Sequence, residues 1–219
     1  MNRILRIVCL FAAAAIATPP QPACGQGPPP ADEYIKRVKN TSFVAPWGER
    51  VLRHEVTVNA GLEDVWKALT TSEGLMSFMA PVVHVELKTG GVFDSNYRVG
   101  SKPGDPGTIH NQVLNYVPME MFSIKVNLTQ QFPLRPRDAG TLFSVITFQE
   151  ASRKKVLVAV SMLGWGEGED WNQVYEQFNW GNAFTLGQLA RRFEKGPVDW
   201  SKKSPAATVP GGNNQGEER

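Results

Sequence analysis

Cysteine is almost missing from this chain, with two residues in 219, Cys9 and Cys24. Both lie near the N-terminus, so no disulfide can form within the chain beyond Cys24, and no Cys-x-x-Cys metal site is available. Histidine is nearly as scarce. His54, His84 and His110 fall at no metal-ligand spacing, and neither a His-Glu-x-x-His helix nor a nucleophile elbow is present. Metal catalysis and triad hydrolysis are therefore disfavoured, and no cofactor is implied. Long apolar runs are also lacking. The uncharged stretch at residues 7–17 falls well short of the roughly 20 residues a membrane-spanning helix needs, and Pro19, Pro20 and Pro22 end it.

What that stretch does have is the pattern of a cleavable leader. Arg3 and Arg6 precede it, four alanines (Ala12, Ala13, Ala14 and Ala15) lie within it, and small residues suit cleavage after Ala17 or after Gly25. Residues 1–25 are expected to be a signal peptide, and the protein to be secreted or periplasmic. Cys24 is a candidate lipid anchor, although Gln21, Pro22 and Ala23 lack the usual leucine-like approach. The formal charge of +2 belongs to this leader, because losing Arg3 and Arg6 leaves as many cations as acids. A neutral domain has no electrostatic footprint for nucleic acid.

Residues 26–48 read as a linker and N-terminal arm, with a short helix expected within 32–40, and residues 201–219 as a disordered tail of Pro, Gly, Asn and Glu. The domain proper is expected at 49–200. Alternation at 50–59 marks a strand with Leu52, His54, Val56 and Val58 on one face; helical spacing follows at 62–69, and a second short helix at 72–81 with Ser72 as N-cap. Strands are then expected at 82–88, 92–99, 108–117, 121–128, 141–149 and 156–163, separated by turn residues such as Gly90-Gly91 and Pro118-Met119-Glu120. Both registers of the last strand are apolar, so its inward face stays undecided. A long helix over about 170–194 closes the chain, with Trp171, Val174, Tyr175, Phe178, Leu186, Leu189 and Phe193 on one stripe. The pattern defines an α+β domain, a curved antiparallel sheet of about seven strands whose apolar face that helix must cover.

In this order and spacing, several short motifs carry a resemblance. Glu55-Val56-Thr57-Val58, Val65-Trp66-Lys67-Ala68-Leu69-Thr70, Leu87-Lys88-Thr89-Gly90-Gly91-Val92-Phe93, Val117-Pro118-Met119-Glu120 and the closing Leu186-Gly187-Gln188-Leu189-Ala190-Arg191-Arg192-Phe193 resemble the START-like (SRPBCC) superfamily. The similarity is greatest to the branch named after the activator of Hsp90 ATPase, and it spans roughly 51–200. The resemblance implies a helix-grip fold with a cavity between sheet and C-terminal helix, in which members bind lipids, hormones or polyketides and some catalyse cyclisation or dehydration. It transfers no catalytic set. The branch name implies a co-chaperone, a role that an exported protein would not meet.

The expected function is binding of a small hydrophobic molecule in that cavity, with a cyclase or dehydratase and a protein-interaction module as alternatives. Candidate ligand-binding residues are His54, Phe78, Phe93, Tyr97, Phe122, Trp165 and Phe178, and no catalytic or metal-binding residue is assigned. His54 is either an acid or base in the cavity or a core histidine with its hydrogen bonds satisfied. Trp165, in Gly164-Trp165-Gly166-Glu167-Gly168, is a candidate lid; Glu167, Glu169 and Asp170 exclude a phosphate-cradling role for that loop. Trp180 and Phe184 lie opposite the main stripe of the closing helix and need cover, from Phe43, Val44 and Trp47 of the arm or from a homodimer contact. Asn40-Thr41-Ser42 and Asn127-Leu128-Thr129 fit a glycosylation pattern that matters only in a eukaryotic source.

Overall fold

A computed structural model describes residues 32–128 and 142–201. The expected leader with Cys9 and Cys24, the loop at 129–141 and the expected tail beyond Ser201 lie outside the described residues. The elements run α1 (Asp32–Ile35), β1 (Lys39–Asn40), β2 (Phe43–Val44), β3 (Arg50–Val58), α2 (Leu62–Thr70), α3 (Ser72–Met76), β4 (Val82–Val85), β5 (Val92–Asn96), β6 (Ile109–Val117), β7 (Met121–Lys125), β8 (Phe143–Ser152), β9 (Lys155–Leu163) and α4 (Glu169–Lys195). The sheet is antiparallel, in the order β1-β3-β9-β8-β7-β6-β5-β4, with β2 also on β3. The seven longer strands are those the alternation predicts. The two extra ones come from the arm, whose helix stops at Ile35 and whose next residues run along the edge of β3.

Register decides which face of each strand is inside. Leu52, His54, Val56 and Val58 pair with Met162, Val160, Val158 and Val156, so this register of β9 faces inward and Leu157 and Leu163 face out. Ile146 and Phe148 of β8, Phe122 and Ile124 of β7, and Phe93 of β5 continue the inner layer. Against it α4 sets Trp171, Val174, Leu186, Leu189 and Ala190, all buried, with Tyr175, Phe178 and Phe193 half-buried beside them. Each large side chain so buried contributes about 1.5–3 kcal/mol relative to exposure.

Helices α2 and α3 close one end of the interior. Trp66 of α2 meets Phe148 at 5.1 Å and Phe122 at 6.3 Å, both edge-on, and Phe122 stacks on Phe93 at 6.2 Å. Thr71, rather than the expected Ser72, caps α3 by accepting from Gly74 N at 3.0 Å; Ser72 Oγ accepts from Val85 N and ties the helix to β4. The two helices meet backbone to backbone, since a Cβ on Gly74 would lie 2.3 Å from Lys67 O. The end of the domain is pinned by Trp200 Nε1, which donates to Met76 O at 2.6 Å.

Gly74→Ala is expected to cost about 1–3 kcal/mol in urea unfolding, because backbone must move. Gly181→Ala, where a Cβ meets nothing within 4 Å inside α4, is expected instead to stabilise by about 0.5–1 kcal/mol.

Candidate functional site

The end of the sheet opposite α2 and α3 gathers the start of β3, the end of β9, the start of β8, the end of β7, the start of β6 and the end of β5. The N-terminal turn of α4 lies there too, held by Arg50 Nη1 donating to Asn172 Oδ1 at 2.8 Å. Between rim and helix sits an aromatic cluster built on Trp165. Its ring packs edge-on against Tyr175 at 4.9 Å, Phe178 at 6.0 Å and Trp171 at 6.3 Å, and its Nε1 donates to Met162 O at 2.9 Å. Arg50 caps Tyr175 from outside, 4.2 Å above the ring. The loop approaches this closely because Gly166 has no side chain, as a Cβ there would fall 1.9 Å from the Trp171 indole.

Six of the seven residues singled out in the sequence thus separate into three groups. Phe78, Phe93 and Phe122 are buried in the closed core under Trp66 and Phe148. Trp165 and Phe178 stand together in the half-buried cluster at the open end. Tyr97 lies one residue past the end of β5 and is 56% exposed. Burial raises the pKa of its hydroxyl, and a hydrogen bond with Ser95 opposes the rise. Trp171, Tyr175 and Arg50 complete the cluster and were not singled out. The 171, 175, 178 spacing, facing a Gly-Trp-Gly loop, is the sequence signal for them.

His54 is a different matter. It is 2% exposed, sits opposite Val160, and its Nδ1 is buried with no hydrogen-bond partner. Burial lowers its pKa from 6.5, and a hydrogen bond with Asn179 of α4 opposes the shift. Asn179 in turn accepts from Asn40 of β1 at 3.0 Å and donates to Glu176 at 2.9 Å. The imidazole is therefore packed into the joint between β1, β3 and α4. Its Nδ1 is out of contact with solvent and is left unsatisfied.

Elsewhere, Asp94, His110, Gln112, Lys125 and Asn127 line an open cleft of about 290 Å³ beside Gly90 and Gly91, with His110 Nδ1 3.0 Å from Asp94 Oδ2. Among the described residues no group of three or more His, Cys, Asp or Glu could hold a metal ion. No described helix is long and apolar enough to cross a membrane.

A curved antiparallel sheet gripping one long helix defines a START-like helix-grip protein. The family of activator of Hsp90 ATPase homolog 1-like proteins matches residues 59–194, and the chain belongs to that family. No curated protein matches the sequence significantly. Among solved structures, the Aha1 dimer from Colwellia psychrerythraea is 16% identical, with a TM-score of 0.53 over 67% of this chain and 97% of that one. A conserved protein of unknown function from Enterococcus faecalis is 15% identical, with a TM-score of 0.56 over 82% and 90%. CalU16 from Micromonospora echinospora is 15% identical, with a TM-score of 0.51 over 75% and 88%. At such identities the likeness is one of fold.

The lowered pKa of His54 fixes the direction of one pH effect. Below about 6.5 the unfolded chain takes up a proton that the folded protein refuses, so stability is full above that pH and falls as the pH drops through it. In His54→Phe the loss of Tm between pH 7.5 and pH 5 should be smaller than in the wild type, as measured by differential scanning calorimetry. An identical loss in the two proteins would show that His54 titrates normally.

Proposed function

We propose that this protein binds a small hydrophobic molecule between the sheet and α4, entering at the end where Trp165 stands. The observation that carries the reading is the contrast between the two ends of one interior. Phe78, Phe93, Phe122 and Phe148 are all below 10% exposed at the α2–α3 end, whereas Tyr97 is open and Trp165, Tyr175 and Phe178 are only half-buried at the other. Aromatic faces left part-uncovered around an apolar interior suit an apolar or aromatic ligand. Trp165 would close over it as a lid. Binding is favoured over cavity catalysis because His54, the titratable side chain nearest the centre of the inner face, is sealed away. Export follows from the pattern of residues 1–25, as does a lipid anchor if Cys24 becomes the first residue. That destination would set aside the co-chaperone role suggested by the family's name. The relative from Colwellia psychrerythraea is a dimer, which supports testing association here as well.

Native mass spectrometry of the purified protein should reveal a co-purified apolar compound or take up an added fluorescent fatty acid. Trp165→Ala should weaken that uptake at least tenfold, with Tm changed by only a few degrees. Retention of nothing apolar, with no uptake of the probe, would overturn the reading. Intact mass measurement of protein recovered from the medium or periplasm should show the leader removed after Ala17 or Gly25; a mass that includes Met1 would refute export by cleavage.

A further inference from the structure

The arm residues expected to cover Trp180 and Phe184 do not: Phe43, Val44 and Trp47 are 52%, 65% and 76% exposed, and Trp180 and Phe184 stack on one another at 5.1 Å. The hairpin between β2 and β3 explains the exposure. Ala45 N donates to Glu49 O and Gly48 N to Ala45 O, both at 2.8 Å, so Ala45, Pro46, Trp47 and Gly48 form a tight turn with Gly48 at a φ of 93°. Pro46 supplies a fixed φ and Gly48 a positive one, but turn chemistry asks for no aromatic residue between them. Strand β2 pairs with β3 through Phe43–Val51 and Val44–Arg50, and both of its own side chains are exposed. From Phe43 to Trp47 the tip is uncharged, and of these residues only Ala45 is buried.

A second apolar tip stands elsewhere on the same rim, in the loop from β5 to β6. This loop is held by its own hydrogen bonds. Asn96 Oδ1 accepts from Arg98 N at 3.0 Å, Asp105 Oδ2 accepts from Lys102 N at 2.8 Å, and Asn96 Nδ2 donates to Thr108 Oγ1 at 3.3 Å. It shows Tyr97 and Val99 to solvent, the latter 60% exposed. The strand order runs from β3 through β9, β8, β7 and β6 to β5, and antiparallel pairing brings the start of β3 and the end of β5 to one end of the sheet. At ~4.8 Å per strand the two tips are about 24 Å apart along its curve. Phe43, Val44, Trp47, Tyr97 and Val99 are the most exposed large apolar side chains among the described residues, and all five are at this end.

We propose that this end of the molecule docks on a zwitterionic lipid bilayer, with Trp47 and Val99 leading the two tips into the interface. Tryptophan and tyrosine rings settle at the headgroup level, where one part of the ring is apolar and another can meet water. The spacing of the tips favours a bilayer over a protein. A stable protein interface has a contiguous apolar core within about 800 Å² per partner, whereas two tips about 24 Å apart offer none. A fluid surface yields to both at once. Charge selects the lipid. Arg50, Arg98, Lys102 and Lys125 at this end meet Glu49, Asp105, Glu167, Glu169 and Asp170, so the rim has no excess of cations to attract an anionic surface. Binding then rests on apolar insertion and is insensitive to salt. Docking would bring lipid to the Trp165 entrance; it stands without the ligand reading, which supplies only its purpose.

Co-sedimentation of the full chain as purified with sucrose-loaded phosphatidylcholine vesicles tests this. The wild type should sediment with them, and about 0.5 M sodium chloride should change the partition by less than about twofold. Trp47→Ser and Val99→Ser should each weaken it about fivefold or more, with Tm changed by only a few degrees because both side chains face solvent. Failure of the wild type to sediment would overturn the docking. So would a double variant that binds as well as the wild type, which would assign the binding to the leader or to a lipid on Cys24. Binding confined to anionic vesicles and abolished by salt would refute it as well. Uptake of the fluorescent fatty acid, measured without vesicles, should be unchanged in the double variant; a wild type that sediments but takes up no probe would keep the docking and sink the ligand reading alone.

Discussion

The burial of α4 in the concave face of the sheet is the contact on which every other feature depends. A sheet with one apolar face is unstable until something covers it, and among the described residues only α4, a helix of 27 residues, is long enough to do so. That helix is roughly 40 Å long at 1.5 Å per residue. Helices α2 and α3 add their cover at one end only, through Trp66 and the close crossing at Gly74. The other end is left to a loop, a few aromatic rings and the rim of the strands. The candidate site is thus the unfinished end of the core rather than a feature added to it.

Much of this was legible in the sequence because period and turn chemistry report local geometry directly. The alternation of Leu52, His54, Val56 and Val58, the breakers at Gly90-Gly91 and the stripe from Trp171 to Phe193 each translate into an observed element. Long-range choices were not. Val156 and Leu157 are equally apolar, and only pairing with β3 and β8 turns Val156 inward. Thr71 and Ser72 are both good caps, and what separates them is that Ser72 is needed by Val85 across the chain. The arm reads as a linker because two-residue strands are too short for any period to show.

The same distinction governs the site. Sequence alone groups aromatic residues by type, and type does not say whether a ring is surrounded. Phe93 and Tyr97 are only four residues apart, yet Phe93 is buried within β5 and Tyr97, just past its end, is 56% exposed. Trp165 was recognisable from its glycine-flanked loop, whereas its partners Tyr175 and Trp171 looked like ordinary members of a helical stripe. For His54 alternation gave the correct face and left its chemistry open. Depth, set by the arm and by Asn179, is what makes it part of the frame.

Glu194 bears on how the molecule would carry a load. One carboxylate accepts from Tyr34 and Arg37 of the arm and from Asn59 at the turn after β3, joining the start of the domain to the last turn of its longest helix. Tension on the chain ahead of Asp32 would reach this knot before it reached the hydrogen bonds of the sheet. The arm would peel from α4 first, taking β1 with it, and the sheet, with β3 paired along its length to β9, would yield last.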